Sequence, residues 1–411
     1  MAAPDPSLLP SPGSPTVPAA SAAAPPPGLF TPARLVMAVF VLHAFGFSNI
    51  WPRIPELQAR LGIGPGELSI AMLGLPVATV LAGPFAGSLI SSFGARRILR
   101  IALPITVMSV ALPGWAFDVV SLFVSLFVIG LSYPVVDIAM NVEADRIERA
   151  GGRRIMSTCH GYWSTGAVVG ALVATGFVSL GIPPGWHLLV VALLSLPFAL
   201  LVPWRLPEVG RSRATGRIAF TLPSRGILPL CMFLFGMLMV EVAARNWGPV
   251  YVTDVVDAAP VYAGLTYTAF ALFMALGRFV GDRVVDRYGP VRVARGSCLL
   301  AMAGLVLVVF AWTPVLVVIG FAAAGLGVAT AFPLSATAAA GRGDLPPAVN
   351  VAALQVIGVG AFLLTPPLIG GIAALAGLRV GVAIVLPMLV ASLILARELV
   401  RKVGDAGESA R

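Results

Sequence analysis

The feature that most constrains this chain is a repeated pattern of apolar runs, each about 20 residues long, separated by short polar turns. A run of that length crosses a hydrocarbon core about 30 Å thick as a helix. Twelve such runs occur, at about 33–52, 67–90, 98–116, 119–146, 155–179, 187–204, 226–252, 260–284, 291–311, 314–338, 347–376 and 378–396. Because 58% of the 411 residues are hydrophobic and 11% are charged, the pattern predicts an all-α membrane protein with twelve transmembrane helices.

The basic residues are distributed unevenly among the connectors between these runs. If both termini lie on one side of the membrane, that side collects Arg96, Arg97, Arg100, Arg146, Arg149, Arg153, Arg154, Arg205, Arg211, Arg213, Arg217, Arg225, Arg283, Arg287, Arg292, Arg295, Arg342, Arg397, Arg401 and Lys402. The opposite side has Arg53, Arg60 and Arg379. Because cytoplasmic loops carry the excess of Lys and Arg, we expect a multi-pass protein of the bacterial cytoplasmic (inner) membrane with both termini in the cytoplasm. The net charge of +9 is then a topology signal and not a nucleic-acid-binding surface.

The longest polar connector divides the runs six and six, and the two halves resemble each other. Trp51-Pro52 ends the first run as Trp247-Gly248-Pro249 ends the seventh. A duplicated six-helix unit, giving two pseudo-symmetric six-helix bundles, follows from this repetition. The predicted organisation is a disordered Pro/Ala-rich cytoplasmic tail at 1–32, an N-terminal bundle at 33–204, a cytoplasmic linker at 205–225, a C-terminal bundle at 226–397 and a cytoplasmic tail at 398–411.

Ionisable and amide side chains are unevenly shared among the twelve helices. The third, sixth, ninth and twelfth runs have no acidic, basic or histidine residue in their interiors, and His187 and a few arginines lie near their edges. The candidates for a functional site lie on the other helices: His43, Asp137, Asn141, His160, Trp163, Glu241, Arg245, Asn246 and Gln355. Because polar side chains are costly in lipid, they face protein or a water-filled cavity. This period of three predicts three-helix repeats around a central cavity.

Asp137 is the first choice among these residues for a functional carboxylate. Counted along the fourth helix, it lies roughly 15 Å into the membrane, near the midplane. The alternative is a structural hydrogen bond to Ser164, which is predicted at the same level of the fifth helix. Glu241 is the rival, unless it forms a structural ion pair with Arg245 one turn away. His43 is predicted to be similarly deep, either as a titrating residue or as a packing residue.

The hairpin of the fourth and fifth helices carries further expectations. Asn141 and His160 are predicted to lie at one level, where a hydrogen bond between them would fix the hairpin. Gly166 and Gly170 are expected to let these two helices approach closely. A solvated cytoplasmic cluster is expected at Glu143, Asp145, Arg146, Glu148 and Arg149.

Two turns carry a recognisable motif. The first reads Gly87-Ser-Leu-Ile-Ser91-Ser-Phe-Gly94-Ala-Arg96-Arg97, and its counterpart after the eighth run reads Asp286-Arg287-Tyr288-Gly289. With twelve helices in two halves, these turns resemble the loop motif of the major facilitator superfamily, and the resemblance covers nearly the whole chain after residue 30. The motif's usual Asp is Ser91 in the first copy and is kept in the second. The resemblance implies a cytoplasmic latch between the halves formed by Gly87, Gly94, Arg96, Arg97, Asp286, Arg287 and Gly289.

Within the superfamily, three segments are similar to the YbjJ-type bacterial group near the fucose permeases. They are Asp137-Ile-Ala-Met-Asn141, His160-Gly-Tyr-Trp-Ser164-Thr-Gly166 and Glu241-Val-Ala-Ala-Arg-Asn-Trp247. This resemblance implies a proton-coupled secondary active transporter of a small organic solute, sugar-like or amphipathic, that works by alternating access. It implies proton-coupling or substrate-binding roles for the nine candidate residues named above, with Asp137 as the first choice for proton coupling and Glu241 as its rival.

Two alternatives to this function stay open. The first is a drug or metabolite efflux proton antiporter, although the proline typical of its fifth-helix motif is missing between Gly161 and Gly170. The second is a ligand sensor or assembly partner built on a transporter fold. The expected partners are a small-molecule solute, protons and the lipid bilayer, with no nucleic acid, and the chain is expected to be a monomer.

No enzymatic activity is predicted, because the chain has no paired-carboxylate motif, nucleophile–base spacing or Walker loop. Cys159, Cys231 and Cys298 lie in or beside apolar helices without metal-ligand spacing. We therefore expect them to be packing residues, with no disulfide, metal site or cofactor.

Overall fold

The computed structural model describes residues 30–152, 154–207, 223–342 and 345–399. The predicted N-terminal tail up to residue 29, most of the predicted linker, Arg153, residues 343–344 and the last twelve residues lie outside this part of the chain. Within it, all regular secondary structure is helical, and twelve helices are long and apolar enough to cross a membrane. The twelve-helix prediction is therefore confirmed.

These membrane spans are numbered α1 to α12 in chain order. They are α1 Pro32–Leu61, α2 Pro65–Phe93, α3 Ala95–Trp115, α4 Val119–Gly151, α5 Met156–Ser179, α6 Pro184–Arg205, α7 Leu228–Asn246, α8 Val261–Tyr288, α9 Pro290–Val309, α10 Pro314–Ala340, α11 Val349–Ala376 and α12 Leu378–Leu399. An even number of crossings places the ends of the bundle on one side, here called the termini side. The opposite side is called the far side.

The Trp-Pro and Trp-Gly-Pro sequences mark equivalent breaks in the two halves. A 3-10 turn at Trp51–Arg53 interrupts α1 before a last helical segment, Ile54–Leu61. In the second half, the short helix Gly248–Asp254 follows α7 directly. Proline is favoured in the first turn of a helix because it has no N–H to leave unpaired there. Each proline therefore starts a new segment, and α1 is longer than its apolar run predicts.

The turns after α2 and α8 are also equivalent in the two halves. Gly94 has φ 87° and Gly289 has φ 81°, so both lie in the left-handed region that favours glycine. Each residue ends one helix and precedes the next. The repeat seen in the sequence is thus a repeat in backbone conformation.

The glycines of α5 pack against α1, and the expectation that they pack against α4 is wrong. A Cβ at Gly166 would lie 2.5 Å from the carbonyl oxygen of Val41, and one at Gly170 would lie 2.5 Å from that of Phe45. The close approach therefore joins the first and fifth helices, while α5 and α8 meet across the halves through Thr175 and Thr268.

Two of the three far-side arginines cap helix ends. Arg60 donates to the carbonyls of Gly114 and Ala116, both at 2.8 Å, at the end of α3. Arg379 donates to the carbonyls of Val309 and Ala311, both at 2.9 Å, at the end of the equivalent helix α9. These guanidinium groups satisfy carbonyls that the helix leaves without partners.

Candidate functional site

A small cavity lies between the two halves at mid-depth in the bundle. Its lining comes from α1, α5, α7 and α8 and comprises Phe47, Ser48, Trp163, Ser164, Ala167, Glu241, Arg245, Tyr267, Phe270, Ala271 and Met274. The cavity volume is about 20 Å³, which is room for about one water molecule. In this state, therefore, the halves are closed around the polar groups.

Tyr133 on α4 connects the cavity to the predicted carboxylate. Its ring lies 4.1 Å from the His43 ring and 4.6 Å from the Phe47 ring, measured between centroids. Its hydroxyl lies within electrostatic range of the charged groups of Asp137, Glu241 and Arg245. The structure thus brings the predicted residues of α1, α4 and α7 together around one tyrosine that the sequence analysis did not select.

The carboxylate of Asp137 has no hydrogen-bond donor or cation partner among the described residues. The structural alternative, a hydrogen bond from Ser164, is not formed, because that hydroxyl donates to the His160 carbonyl at 3.1 Å. Asp137 is half-buried. Its carboxylate can therefore bind a proton or a ligand without first breaking a hydrogen bond or ion pair to another described residue.

The expected hydrogen bond between Asn141 and His160 is wrong. The Asn141 amide donates to the Asp137 backbone carbonyl at 2.8 Å, within its own helix. The exposed His160 ring packs edge-on against Phe40 of α1, with centroids 5.4 Å apart. The physical reason is that α1, and not α4, packs closely on α5. A side chain of α1 therefore contacts His160 where one from α4 was expected.

The expected ion pair between Glu241 and Arg245 is also not formed in the described structure. The guanidinium carbon of Arg245 lies 4.9 Å from the Trp51 ring and 4.6 Å from the Phe362 ring. Its Nε donates to Asn246 Oδ1 at 3.5 Å, a long contact. The arginine is held by aromatic faces, and Glu241 stays half-buried beside the cavity.

The remaining predicted residues have distinct positions. His43 is 1% exposed, and Trp163 Nε1 donates to its Nδ1 at 3.4 Å, so it is packed and hydrogen-bonded behind the cavity wall. Gln355 is exposed on the termini-side half of α11 and does not line the cavity. Proton-coupling and substrate-binding roles for both stay predictions.

On the far side, polar contacts join the two halves. Gln58 Nε2 donates to Asp254 Oδ2 at 3.3 Å, and Tyr267 Oη donates to Ser48 Oγ at 3.4 Å. Together with the aromatic contacts of Arg245, these contacts close the far side above the cavity. Access from that side requires the halves to separate.

A largely buried network on the far side was missed by sequence reasoning. Arg53 is 0% exposed, its Nε donates to His187 Nδ1 at 2.9 Å, and its Nη1 pairs with Glu56 at 2.6 Å. His187 Nε2 is 2.9 Å from Asn49 Oδ1. The only sequence signal was an isolated histidine at the edge of a run, and Arg53 was assigned to a loop.

The acidic residues at the end of α4 are not one solvated cluster. Glu143 is fully buried and pairs with Arg146 at 3.2 Å. Glu148 accepts hydrogen bonds from the backbone N–H groups of Ile155 and Met156, so it caps the start of α5. The solvated description is confirmed for the exposed pair of Arg149 and Asp145, at 3.0 Å.

The predicted latch residues lie at the termini-side ends of the helices. Arg96 donates to the carbonyl of Trp204 at 3.0 Å, within the first half. Asp286 and Arg287 are exposed, and the Arg287 guanidinium lies 5.4 Å from the Tyr288 ring. Gly87 has open space where a Cβ would be. A latch between the halves stays a prediction.

The fold and the site together define a class: a twelve-span membrane protein whose two equivalent halves enclose polar groups at mid-depth. Residues 36–347 match the model of the Major Facilitator Superfamily, and the chain belongs to that superfamily. It is a multi-pass membrane transporter, and it is not an enzyme.

Sequence relatives cover most of the chain. It is 33% identical to the uncharacterised transporter y4wD of Sinorhizobium fredii over 359 residues, 85% of this chain and 93% of that one. It is 28% identical to an uncharacterised MFS-type transporter of Yersinia pestis, with 88% and 94% of the two chains covered. Membrane protein MosC of Rhizobium meliloti is 28% identical over 79% of each chain.

Solved structures of low sequence identity share the fold. A mutant of the nucleoside transporter NupG aligns with a TM-score of 0.72 at 14% identity, covering 90% of this chain and 99% of that one. A variant of the E. coli fucose:proton symporter FucP aligns with a TM-score of 0.59 at 16% identity, covering 90% and 98%. At these identities the similarity concerns the fold alone.

Proposed function

We propose that this transporter moves a small organic solute across the bacterial cytoplasmic membrane by alternating access, coupled to protons, with Asp137 as the proton-coupling group. The observation that carries the proposal is the carboxylate of Asp137 itself. It lies mid-depth in α4, near Tyr133, with no partner among the described residues. An ionised carboxylate is costly in such a place.

Protonation provides the coupling in this proposal. In the closed state, a neutral Asp137 has a lower desolvation cost than an ionised one. The transporter therefore changes between its two orientations more readily after Asp137 has taken up a proton. Glu241, half-buried beside the cavity, is the second candidate for a proton. Rocking of the two halves would open the cavity to each side in turn.

The lining supports a small solute with a ring and polar groups. Aromatic side chains such as Trp163, Tyr267 and Phe270 alternate with hydroxyl and charged groups around the cavity. Aromatic faces bind the apolar faces of rings, and hydroxyl groups bind polar substituents. NupG is a nucleoside transporter and FucP a fucose:proton symporter, so nucleosides and monosaccharides are the first neutral solutes to test.

We also propose that both termini face the cytoplasm. The support is the uneven distribution of basic residues: the connectors on the far side have Arg53, Arg60 and Arg379, and the other connectors, on the termini side, have the large excess of arginine, as is typical of cytoplasmic loops. A fluorescent protein fused after Arg411 should then mature inside intact cells, and a periplasmic alkaline phosphatase fused there should be inactive.

The coupling is tested in proteoliposomes with an imposed proton gradient and a panel of labelled nucleosides, monosaccharides and small organic acids. We expect concentrative uptake of at least one solute that a protonophore abolishes. Asp137→Asn should lose concentrative uptake while keeping exchange of the solute, and Asp145→Asn, which changes an exposed carboxylate, should behave as wild type.

Undiminished concentrative uptake by Asp137→Asn would remove that residue from the coupling role. Binding of a solute without any flux would favour the sensor alternative. Proton entry driven by outward solute movement would favour the efflux antiporter.

A further inference from the structure

We propose that Arg245 binds the carboxylate of the transported solute, so that the substrate is a small organic monoanion with a ring. This inference rests on the proposed transport function and narrows its substrate class.

Three aromatic rings surround this guanidinium, and its terminal nitrogens have no hydrogen-bond acceptor among the described residues. Trp51 and Phe362 lie within 5 Å of the guanidinium carbon, and Phe47 lies 5.8 Å away. Only Nε has a hydrogen-bond acceptor among the described residues, the long contact to Asn246. The two terminal nitrogens therefore have donors to offer, and the residue lines the cavity.

That arrangement suits a carboxylate. A guanidinium packed against aromatic rings has restricted freedom, and the planar arrangement of its N–H groups matches the two oxygens of a carboxylate. An arginine enclosed in the bundle without an ion pair among the described residues is costly. A bound anion would remove much of this cost, which favours binding of an anionic over a neutral solute.

The charges around the cavity favour a monoanion over a dianion. The charged groups that interact with the Tyr133 hydroxyl are the carboxylates of Asp137 and Glu241 and the guanidinium of Arg245. Tyr267 adds a neutral hydroxyl nearby. His43 is neutral in this arrangement, because Trp163 donates to its Nδ1. A monoanion together with one proton on a carboxylate leaves the net charge unchanged, whereas a phosphate dianion would require two protons.

The aromatic lining indicates a ring in the solute. Trp163 and Phe270 face the same cavity as Arg245, and Ser48 and Ser164 supply hydroxyl groups. The cavity has to widen to admit such a molecule, and separation of the halves provides that movement.

The test measures binding to the purified full-length protein with matched acids and amides: nicotinate with nicotinamide, benzoate with benzamide, and 4-hydroxybenzoate with 4-hydroxybenzamide. A ligand that binds the folded state raises Tm. We expect at least one acid to raise Tm and its amide, at equal concentration, to have no effect. Binding should be accompanied by uptake of one proton per acid, measured with a pH indicator in weak buffer.

Variants then assign the effect to the arginine. Arg245→Gln should weaken binding of that acid by about tenfold to a hundredfold, as expected for loss of charged hydrogen bonds. Arg245→Lys keeps the positive charge but loses the planar pair of N–H donors, so its affinity for the acid should lie between those of the wild type and Arg245→Gln. Arg149→Gln, at an exposed ion pair, is the control and should bind as wild type.

Three results would overturn this inference: no acid of the panel binds, an amide binds as well as its acid, or Arg245→Gln binds the acid normally. The transport proposal has a separate readout. Proton-driven uptake of a neutral solute that is lost in Asp137→Asn and kept in Arg245→Gln would refute the anion site alone.

Discussion

At the scale of single residues, the buried network of Arg53 shows how its surroundings fix a histidine's protonation. A guanidinium nitrogen can only donate, so His187 Nδ1, 2.9 Å from Arg53 Nε, must be an acceptor. The proton of the neutral ring is then on Nε2, which donates to Asn49 Oδ1 at 2.9 Å. The histidine therefore links α1 to α6 as a neutral group.

Removing this histidine should be strongly destabilising. In His187→Ala, the buried Nε of Arg53 loses its acceptor and Asn49 Oδ1 loses its donor, inside a part of the bundle closed to water. We expect the free energy of unfolding, measured by SDS titration of the detergent-solubilised protein, to fall by about 3 kcal/mol.

His160→Ala is the matched control for that substitution. The His160 side chain is exposed and its ring contacts Phe40, so its loss should cost less than about 1 kcal/mol. Equal effects of the two substitutions would show that the buried hydrogen bonds do not stabilise the fold as argued.

Sequence reasoning identified charged residues of the site and one aromatic residue, Trp163, and missed the other aromatic ones. Asp137, Glu241 and Arg245 stand out because ionisable groups are rare in apolar helices. Tyr133 and Phe362 give no such signal, since aromatic residues are ordinary in membrane helices. Their positions around the guanidinium depend on how α4 and α11 are rotated, which no local pattern encodes.

At the scale of helices, α1 packs against α5 where glycines allow the backbones to approach. The Cβ positions of Gly166 and Gly170 would be 2.5 Å from α1 carbonyl oxygens. Side chains any larger than hydrogen cannot be accommodated there without moving the helix. This contact also places Trp163 next to His43, so the packing of one helix pair positions part of the site.

Gly170→Ala should therefore destabilise the protein, by about 1–3 kcal/mol, because its added methyl group overpacks the contact with Phe45. Gly176→Ala is the control on the same helix, since nothing lies within 4 Å of its added Cβ. There, alanine favours the helix by up to about 1 kcal/mol relative to glycine. Thermal unfolding of both variants should show a lower Tm for the first and an unchanged or higher Tm for the second.

The number of spans could be predicted from sequence, and their neighbours could not. Hydrophobic length is a local property, so all twelve spans were found with ends within a few residues in most cases. The main error in length was in α1, where Pro52 begins a new segment. The partner of the glycine face on α5 is decided by tertiary packing, and chain proximity wrongly suggested α4.

At the scale of the whole molecule, one contact between the two halves joins equivalent residues. Gln58 and Asp254, which hydrogen-bond to each other across the far side, are 196 residues apart, the same separation as Trp51 and Trp247. Equivalent residues of a duplicated unit contact each other only on the pseudo-twofold axis that relates the halves. The far side is therefore closed at the axis itself, where any rocking of the halves must separate this pair.

Linking this pair should stop transport. In a Gln58→Cys and Asp254→Cys double variant, a short bifunctional thiol reagent should join the halves and abolish solute flux in proteoliposomes, while a cleavable version of the reagent should restore flux on reduction. The native cysteines Cys159, Cys231 and Cys298 are buried and free, and replacing them with alanine removes background labelling. Each single variant treated with the same reagent is the control and should keep its flux. Full transport by the linked protein would show that the far side does not open during the cycle, and alternating access through this axis would have to be abandoned.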